Sequence, residues 1–236
     1  MEAEGVATTG ISLIRLHTEK IIPPRALWVP FELGRPFGVP NDADFQTEVL
    51  LGVLKLLEAE SGPVFEDFPH EAPVPADQIT TLACPVSFKG KAAQLSESEK
   101  LVDAFKQEIA GLRNWYDMAV EKRGRTTVGV SGLSMDQIAN LIGEFLAGRT
   151  PQNPRDDVSL GYAVNLAIDD LKAYYTEAVT AQPGQQSPSS KVLNEWFWKE
   201  TAASKVIYAL KDICLNSEDN VLKLLGIVLL VPVEYA

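Results

Sequence analysis

The apolar positions change period partway along the chain. Before residue 61 they come in short runs. Gly10-Ile11-Ser12-Leu13-Ile14-Arg15-Leu16 has the partial two-residue alternation of a strand, and Arg25 to Phe31 reads as a second strand, short and buried. The first strand is predicted over Thr8 to Leu16, ending at a His17-Thr18-Glu19-Lys20 loop. Pro23-Pro24 stops any helix and supplies an extended entry into the second strand. Gly34, Pro36, Gly38 and Pro40 then mark a loop of defined shape. Asn41 or Asp42 caps a helix whose Phe45, Val49, Leu50, Val53, Leu54, Leu56 and Leu57 predict one wide buried stripe reaching Ala59.

Ser61 to Ile79 carries Pro63, Pro69, Pro73 and Pro75 among Glu66, Asp67, Glu71 and Asp77, the composition of an extended surface linker. Beyond it the spacing is helical. Ser96-Glu97-Ser98-Glu99 opens a helix with Leu101, Phe105, Ile109, Leu112, Trp115, Tyr116 and Ala119 on one face, closed by Arg123-Gly124-Arg125. Ser134 caps another that ends at Gly148, and further helices are predicted over Ser159 to Ala181, Val192 to Cys214 and Asn220 to Leu230. The fold class is therefore α+β: a small, incomplete parallel α/β piece (1–60), a Pro-rich acidic linker (61–83) and a larger, mainly helical array (84–236). Two strands cannot cover their own faces and edges, so the first piece is expected to need completing from elsewhere.

A net charge of −11 argues against nucleic acid, which is bound through clustered Lys and Arg, and against an anionic membrane surface. The longest apolar run, Val221 to Val233, is interrupted by Lys223 and is shorter than the roughly 20 residues of a membrane span. Met1-Glu2-Ala3-Glu4-Gly5 lacks the basic flank and apolar stretch of a secretory signal. Cys84 and Cys214 show neither CxxC nor metal spacing. The expectation is a cytoplasmic protein with reduced thiols, no evident cofactor and no metal site.

Two segments have the composition to hold an anion. Gly34-Arg35-Pro36-Phe37-Gly38 lies between a strand and a helix, where free helix amides favour negative charge, and Arg35 adds a two-pronged donor. The same residues also suit a tight structural turn with Arg35 paired to Glu32. Arg123 to Gly132 offers two arginines, the hydroxyls of Thr126, Thr127 and Ser131, and glycines whose amides can surround an oxyanion. It serves equally as an interhelical loop whose arginines face the preceding helix C-terminus. Cys84, before Pro85, is the more accessible thiol by context, whereas Cys214 falls on an apolar helix face. His17, after a strand, has a claim as acid or base; His70 sits among acidic residues. Asp170 and Glu177, seven apart, share a helix face as carboxylate sites in bundles do, without the E-x-x-H pairs of a di-iron centre. Trp196-Phe197-Trp198 is either core or a partner surface.

The piece Glu4-Gly5-Val6-Ala7-Thr8-Thr9-Gly10-Ile11-Ser12, the strand Pro23-Pro24-Arg25-Ala26-Leu27, the turn Gly34-Arg35-Pro36-Phe37-Gly38 and the helix entered through Gln46 resemble the selenoprotein B component of the glycine, sarcosine, betaine and D-proline reductases. The resemblance covers about residues 2 to 60. Arg125-Thr126-Thr127-Val128-Gly129-Val130-Ser131-Gly132 and Asp169-Asp170-Leu171-Lys172-Ala173-Tyr174-Tyr175 are similar to a C-terminal extension of longer relatives. The resemblance implies reductive cleavage by a thiolate or selenolate nucleophile. In that family the Cys or selenocysteine motif lies just upstream of the corresponding strand, where this chain has only Met1 to Ala7. The expected protein is thus one subunit of a two-component reductase, with the redox Cys or selenocysteine on a partner. Arg25, Arg35, Gly38 and the Arg125, Thr126, Thr127 and Ser131 loop would hold a small anionic substrate, His17 would act as acid or base, and Cys84 would be a reserve thiol. The alternatives are an artificial start at Met1, or a non-catalytic binding or scaffold protein, homo-oligomeric through its sheet edge and Trp196 to Trp198.

Overall fold

The computed structural model describes residues 2–72, 96–182 and 190–235, in two compact units, Met1–Ala76 and Asp77–Ala236. In the first unit, strands β1 (Gly10–Ser12), β2 (Arg25–Trp28) and β3 (Val64–Asp67) form a parallel sheet in the order β1-β2-β3. Ile11 is level with Leu27 and Leu27 with Glu66. Helix α1 (Arg15–Ile21) joins the first two strands and α2 (Ala43–Lys55) the second two.

Two features of this unit differ from the sequence expectation. The first strand stops at Ser12, and His17 lies in a helix instead of a loop after a strand. Seven residues of partial alternation do not separate a strand from a strand followed by a helical turn. The Thr18 hydroxyl, bonded to Ile14 O (3.1 Å) and to the Ser12 hydroxyl, supports the helical choice. Second, β3 falls inside the stretch read as linker. Pro63 precedes the strand, where a missing N–H costs no ladder bond, and Glu66 and Asp67 face solvent.

Leu27, Val29, Phe31, Val49, Val53, Leu56 and Phe68 make the core of this unit, with the rings of Phe31, Phe45 and Phe68 5.5–5.8 Å apart. Gly38 is required at its edge: its φ is +79°, and a Cβ there would stand 2.6 Å from Phe45 Cε1. The predicted α2 stripe divides in two. Val49, Val53 and Leu56 are buried, whereas Leu50, Leu51, Leu54 and Leu57 are exposed.

Among the described residues the second unit is helical: α3 (Glu97–Arg123), α4 (Met135–Leu146), α5 (Leu160–Val179), α6 (Ser190–Glu200), α7 (Ala202–Leu215) and α8 (Asn220–Val228). The starts are written locally. Ser96 with Glu99, and Ser134 with Gln137, form reciprocal capping boxes, and Ser159, Thr201 and Asp219 cap α5, α7 and α8. Along α5, Val164, Ala167, Ile168, Leu171, Tyr175 and Ala178 are buried, against Phe105, Ile109 and Leu112 of α3 and Ile138 and Ile142 of α4. Trp196, Phe197 and Trp198 belong to this core, each at most 6% exposed, so they offer no partner surface. Among the described residues no helix is long and apolar enough to cross a membrane.

One carboxyl lies inside this core. Glu108 accepts from the Tyr175 hydroxyl (2.7 Å) and from the Ala203 N–H (3.0 Å) at the start of α7. Burial raises its pKa, while the Tyr175 bond and the α7 amides oppose the rise. A folded-state value above the unfolded one means that stability falls as pH climbs above the ordinary glutamate range. Glu108→Gln is expected to flatten that decline in urea titrations across the weakly acid to neutral range. At the α7–α8 crossing a Cβ on Gly226 would come within 3.0 Å of Cys214 Cβ and Leu215 N. Gly226→Val is therefore expected to cost about 1–3 kcal/mol despite replacing a helical glycine, read as a lowered melting temperature.

Candidate functional site

The loop between α3 and α4 concentrates more polar contacts than any other segment of the helical unit that the sequence singled out. Helix α3 ends at Gly124 in the left-handed conformation (φ 64°), with Lys122 and Arg123 in its last turn. The chain then crosses α5, aided by Gly129 (φ 128°) and Gly132 (φ 73°). Along this crossing its donors converge on two carboxylates. Asp170 Oδ1 accepts the N–H groups of Gly129 (2.7 Å) and Val130 (3.0 Å), and Oδ2 accepts the Ser131 N–H (2.9 Å) and hydroxyl (2.5 Å). Two turns on, Glu177 Oε1 accepts the Thr127 N–H (2.8 Å) and hydroxyl (2.7 Å), and Oε2 the Thr126 hydroxyl (2.8 Å).

Asp170 is fully buried, and Glu177 is 7% exposed. Burial pushes the Glu177 pKa up, but the Thr127 N–H, the two threonine hydroxyls and the charge of Arg123 outweigh it and hold the value below the ordinary one. The periphery is tied down too: Arg123 Nη2 donates to Thr180 Oγ1 (2.5 Å), and Arg155 Nη1 donates to Val130 O (3.0 Å) while pairing with Asp157. The loop is thus an oxyanion cradle, as its composition suggests, and the oxyanions in it belong to α5 of the same chain. Thr126, Thr127 and Ser131 are brought together but already bonded; Arg125 faces solvent. Asp170 and Glu177 were visible as a pair, and their spacing matches the loop's two donor clusters, but only the fold joins them.

In the α/β unit, Gly34 to Gly38 takes the structural alternative. Arg35 N–H donates to Glu32 O (3.0 Å), Gly38 N–H to Arg35 O (2.9 Å), and the Arg35 side chain lies 3.5 Å from the Glu32 carboxylate. The α2 N-terminus is capped by Asp42, which accepts the Phe45 N–H (3.1 Å). Arg25 is buried and bonded to Glu2 Oε1 (3.0 Å) and Ala59 O (2.9 Å). His17 is exposed on α1 and, with Ser12, Thr18 and Ala26, lines a hollow of about 520 Å3. At the C-terminal strand ends, where open α/β sheets place ligands, Arg15 Nη1 donates to both oxygens of Asp67 (2.6 Å each) and its guanidinium lies over the rings of Trp28 and Phe65. Nothing in the sequence pattern marked that arginine.

Cys84 lies outside the described residues. Cys214 is fully buried, and burial pushes its thiol up to about 11, the opposite of an activated nucleophile. No group of side chains suited to a metal occurs among the described residues. Comparison with family models, with curated proteins and with solved structures finds no match.

The carboxylate pair makes a two-part expectation. Asp170→Asn places an amide N–H₂ against donors already buried there, and is expected to cost about 2–4 kcal/mol, whereas Asp169→Asn at the exposed neighbour stays within about 0.5 kcal/mol. Glu177, with its lowered folded value, contributes stability above the ordinary glutamate range that is lost as pH falls through the folded value. Glu177→Gln is expected to be less stable at neutral pH and to lose less on acidification, read by denaturant titrations at several pH values.

Proposed function

We propose that this chain is a docking subunit of a larger assembly, and that its α/β unit is completed by a partner. The observation that carries the reading is the sheet itself: three short parallel strands with no further strand paired to β1 or β3 among the described residues. Parallel sheets are stable when both faces are covered. Around α1, however, Ile14, Leu16, Ile21, Ile22 and Leu33 are all more than half exposed. A helix of seven residues with a single buried side chain, Thr18, contributes little to holding itself in place. Apolar surface of this density on so small a unit is the mark of an interaction site.

The finer form of the proposal takes the partner to be the chain that bears a Cys or selenocysteine nucleophile, acting reductively on a small anionic molecule. The resemblance of residues 2 to 60 supports it. The buried, high-pKa Cys214 is unsuited to the chemistry; the nucleophile is taken to come from the other component, with Cys84 as the alternative on this chain. The competing form is a scaffold with no reaction on either chain.

Native mass spectrometry of the full chain purified from its own host tests the proposal. The expected result is a heteromer, and a second chain carrying a Cys- or selenocysteine-bearing turn supports the reductase form. A heteromer without such a chain leaves the scaffold, a homo-oligomer overturns the two-component reading and leaves a self-associating scaffold, and a monomer overturns both. Leu16→Asp, at a site 72% exposed, is expected to leave the melting temperature nearly unchanged while lowering recovery of the heteromer severalfold.

A further inference from the structure

Helix α2 is apolar on nearly all sides. Its inner row, Val49, Val53 and Leu56, is buried with Leu27 and Phe68. Its outer row is Leu50, Leu51, Leu54 and, in the turn that follows, Leu57, and Leu51 is 62% exposed. A helix hydrophobic on both faces is a buried helix, and nothing within this unit buries the outer one. At about 100° per residue, one flank of the leucine row merges with the buried row, and the other carries Asp44, Glu48 and Lys55, all exposed. Glu48 and Lys55 are of opposite sign and seven residues, two turns, apart. Glu48 also lies 3.3 Å from the His70 Nε2, and Lys55 has no ion pair among the described residues.

This arrangement is self-complementary in one orientation. If two copies of α2 pack antiparallel about a dyad near Leu51, the same flank of each helix meets across the interface. Residues equidistant from the dyad become neighbours, so Glu48 of each copy faces Lys55 of the other, and Leu50 and Leu54 interleave. In a parallel pair the flank carrying Glu48 and Lys55 would meet the opposite flank of the partner, and these pairs would not form. We infer that α2 is an antiparallel homodimer contact, with the leucine row as its core and two symmetric Glu48–Lys55 pairs fixing its direction. One helical face is small against a standard interface of about 800 Å2 per partner, so the contact is concentration-dependent on its own. It uses a surface separate from the sheet edges and stands or falls independently of the heteromer proposed above.

Sedimentation equilibrium on the full chain across the micromolar range tests it. The wild type is expected to pass from monomer to dimer. Leu51→Glu with Leu54→Glu is expected to stay monomeric with unchanged helical circular dichroism, because both sites are exposed in the monomer. Lys55→Glu is expected to weaken the dimer roughly five- to tenfold, and adding Glu48→Lys, which restores opposite charges across the dyad, to recover most of that loss. A wild type that is monomeric throughout overturns the inference. So does a dimer indifferent to the leucine changes, or a charge reversal that the second substitution fails to rescue. A monomer whose melting temperature drops with Leu51→Glu would assign the leucine row to another part of this chain, and equally overturns it.

Discussion

The helical unit depends on a carboxylate pair that binds its own backbone. Asp170 and Glu177 between them accept seven hydrogen bonds from the α3–α4 connection, four of them from main-chain N–H groups. A buried charge without partners would cost several kcal/mol, and a loop with orphaned amides would cost comparably per group. Here each cancels the other. The direction in which α4 leaves the loop follows from this bonding, and with it the way Ile138 and Ile142 meet α5. Glu108 repeats the device at the start of α7, where a side chain from α3 accepts the Ala203 amide and the Tyr175 hydroxyl. The array is thus pinned at two internal points where acidic groups take up donors that helix ends and loops would otherwise leave unpaired.

The two units are stabilised in different ways. The helical one has a continuous core from Phe105 to Val231, capped helix starts and satisfied internal acids. Among its described residues the α/β unit has eight buried apolar side chains, a buried arginine held by Glu2 and a carbonyl, and surface bridges such as Arg15–Asp67. Exposed bridges of that kind contribute about 0–1 kcal/mol. Local opening is expected to be far easier in the sheet than in the array.

Much of this was legible in the chain. Helix starts were, because Ser96, Ser134 and Ser159 carry their signal within three residues. The α/β-then-helical order was too, because the apolar period itself changes. Burial around α2 was not: seven apolar positions on one helix say that the helix wants cover, but not which side its own unit supplies. Strand β3 hid because prolines and acids around it mimic a linker, although only four residues between them were needed. Among the candidate site residues, the sequence recognised the affinity of Thr126, Thr127 and Ser131 for an oxyanion and misjudged its source. Composition reports what a loop can bond, and only tertiary placement of Asp170 and Glu177, some forty to fifty positions away, reports what it does bond.

The α5 anchor points are one helical heptad apart, a separation of roughly 10 Å that a helix does not adjust. Thr127 must reach one of them and Gly129 through Ser131 the other, so the intervening chain has a fixed span to cover. Surface loops ordinarily accept added or deleted residues with little penalty. This one, though most of it lies in solvent, behaves as a ruler: its exposed side chain at Val130 is open to replacement, but its residue count is not.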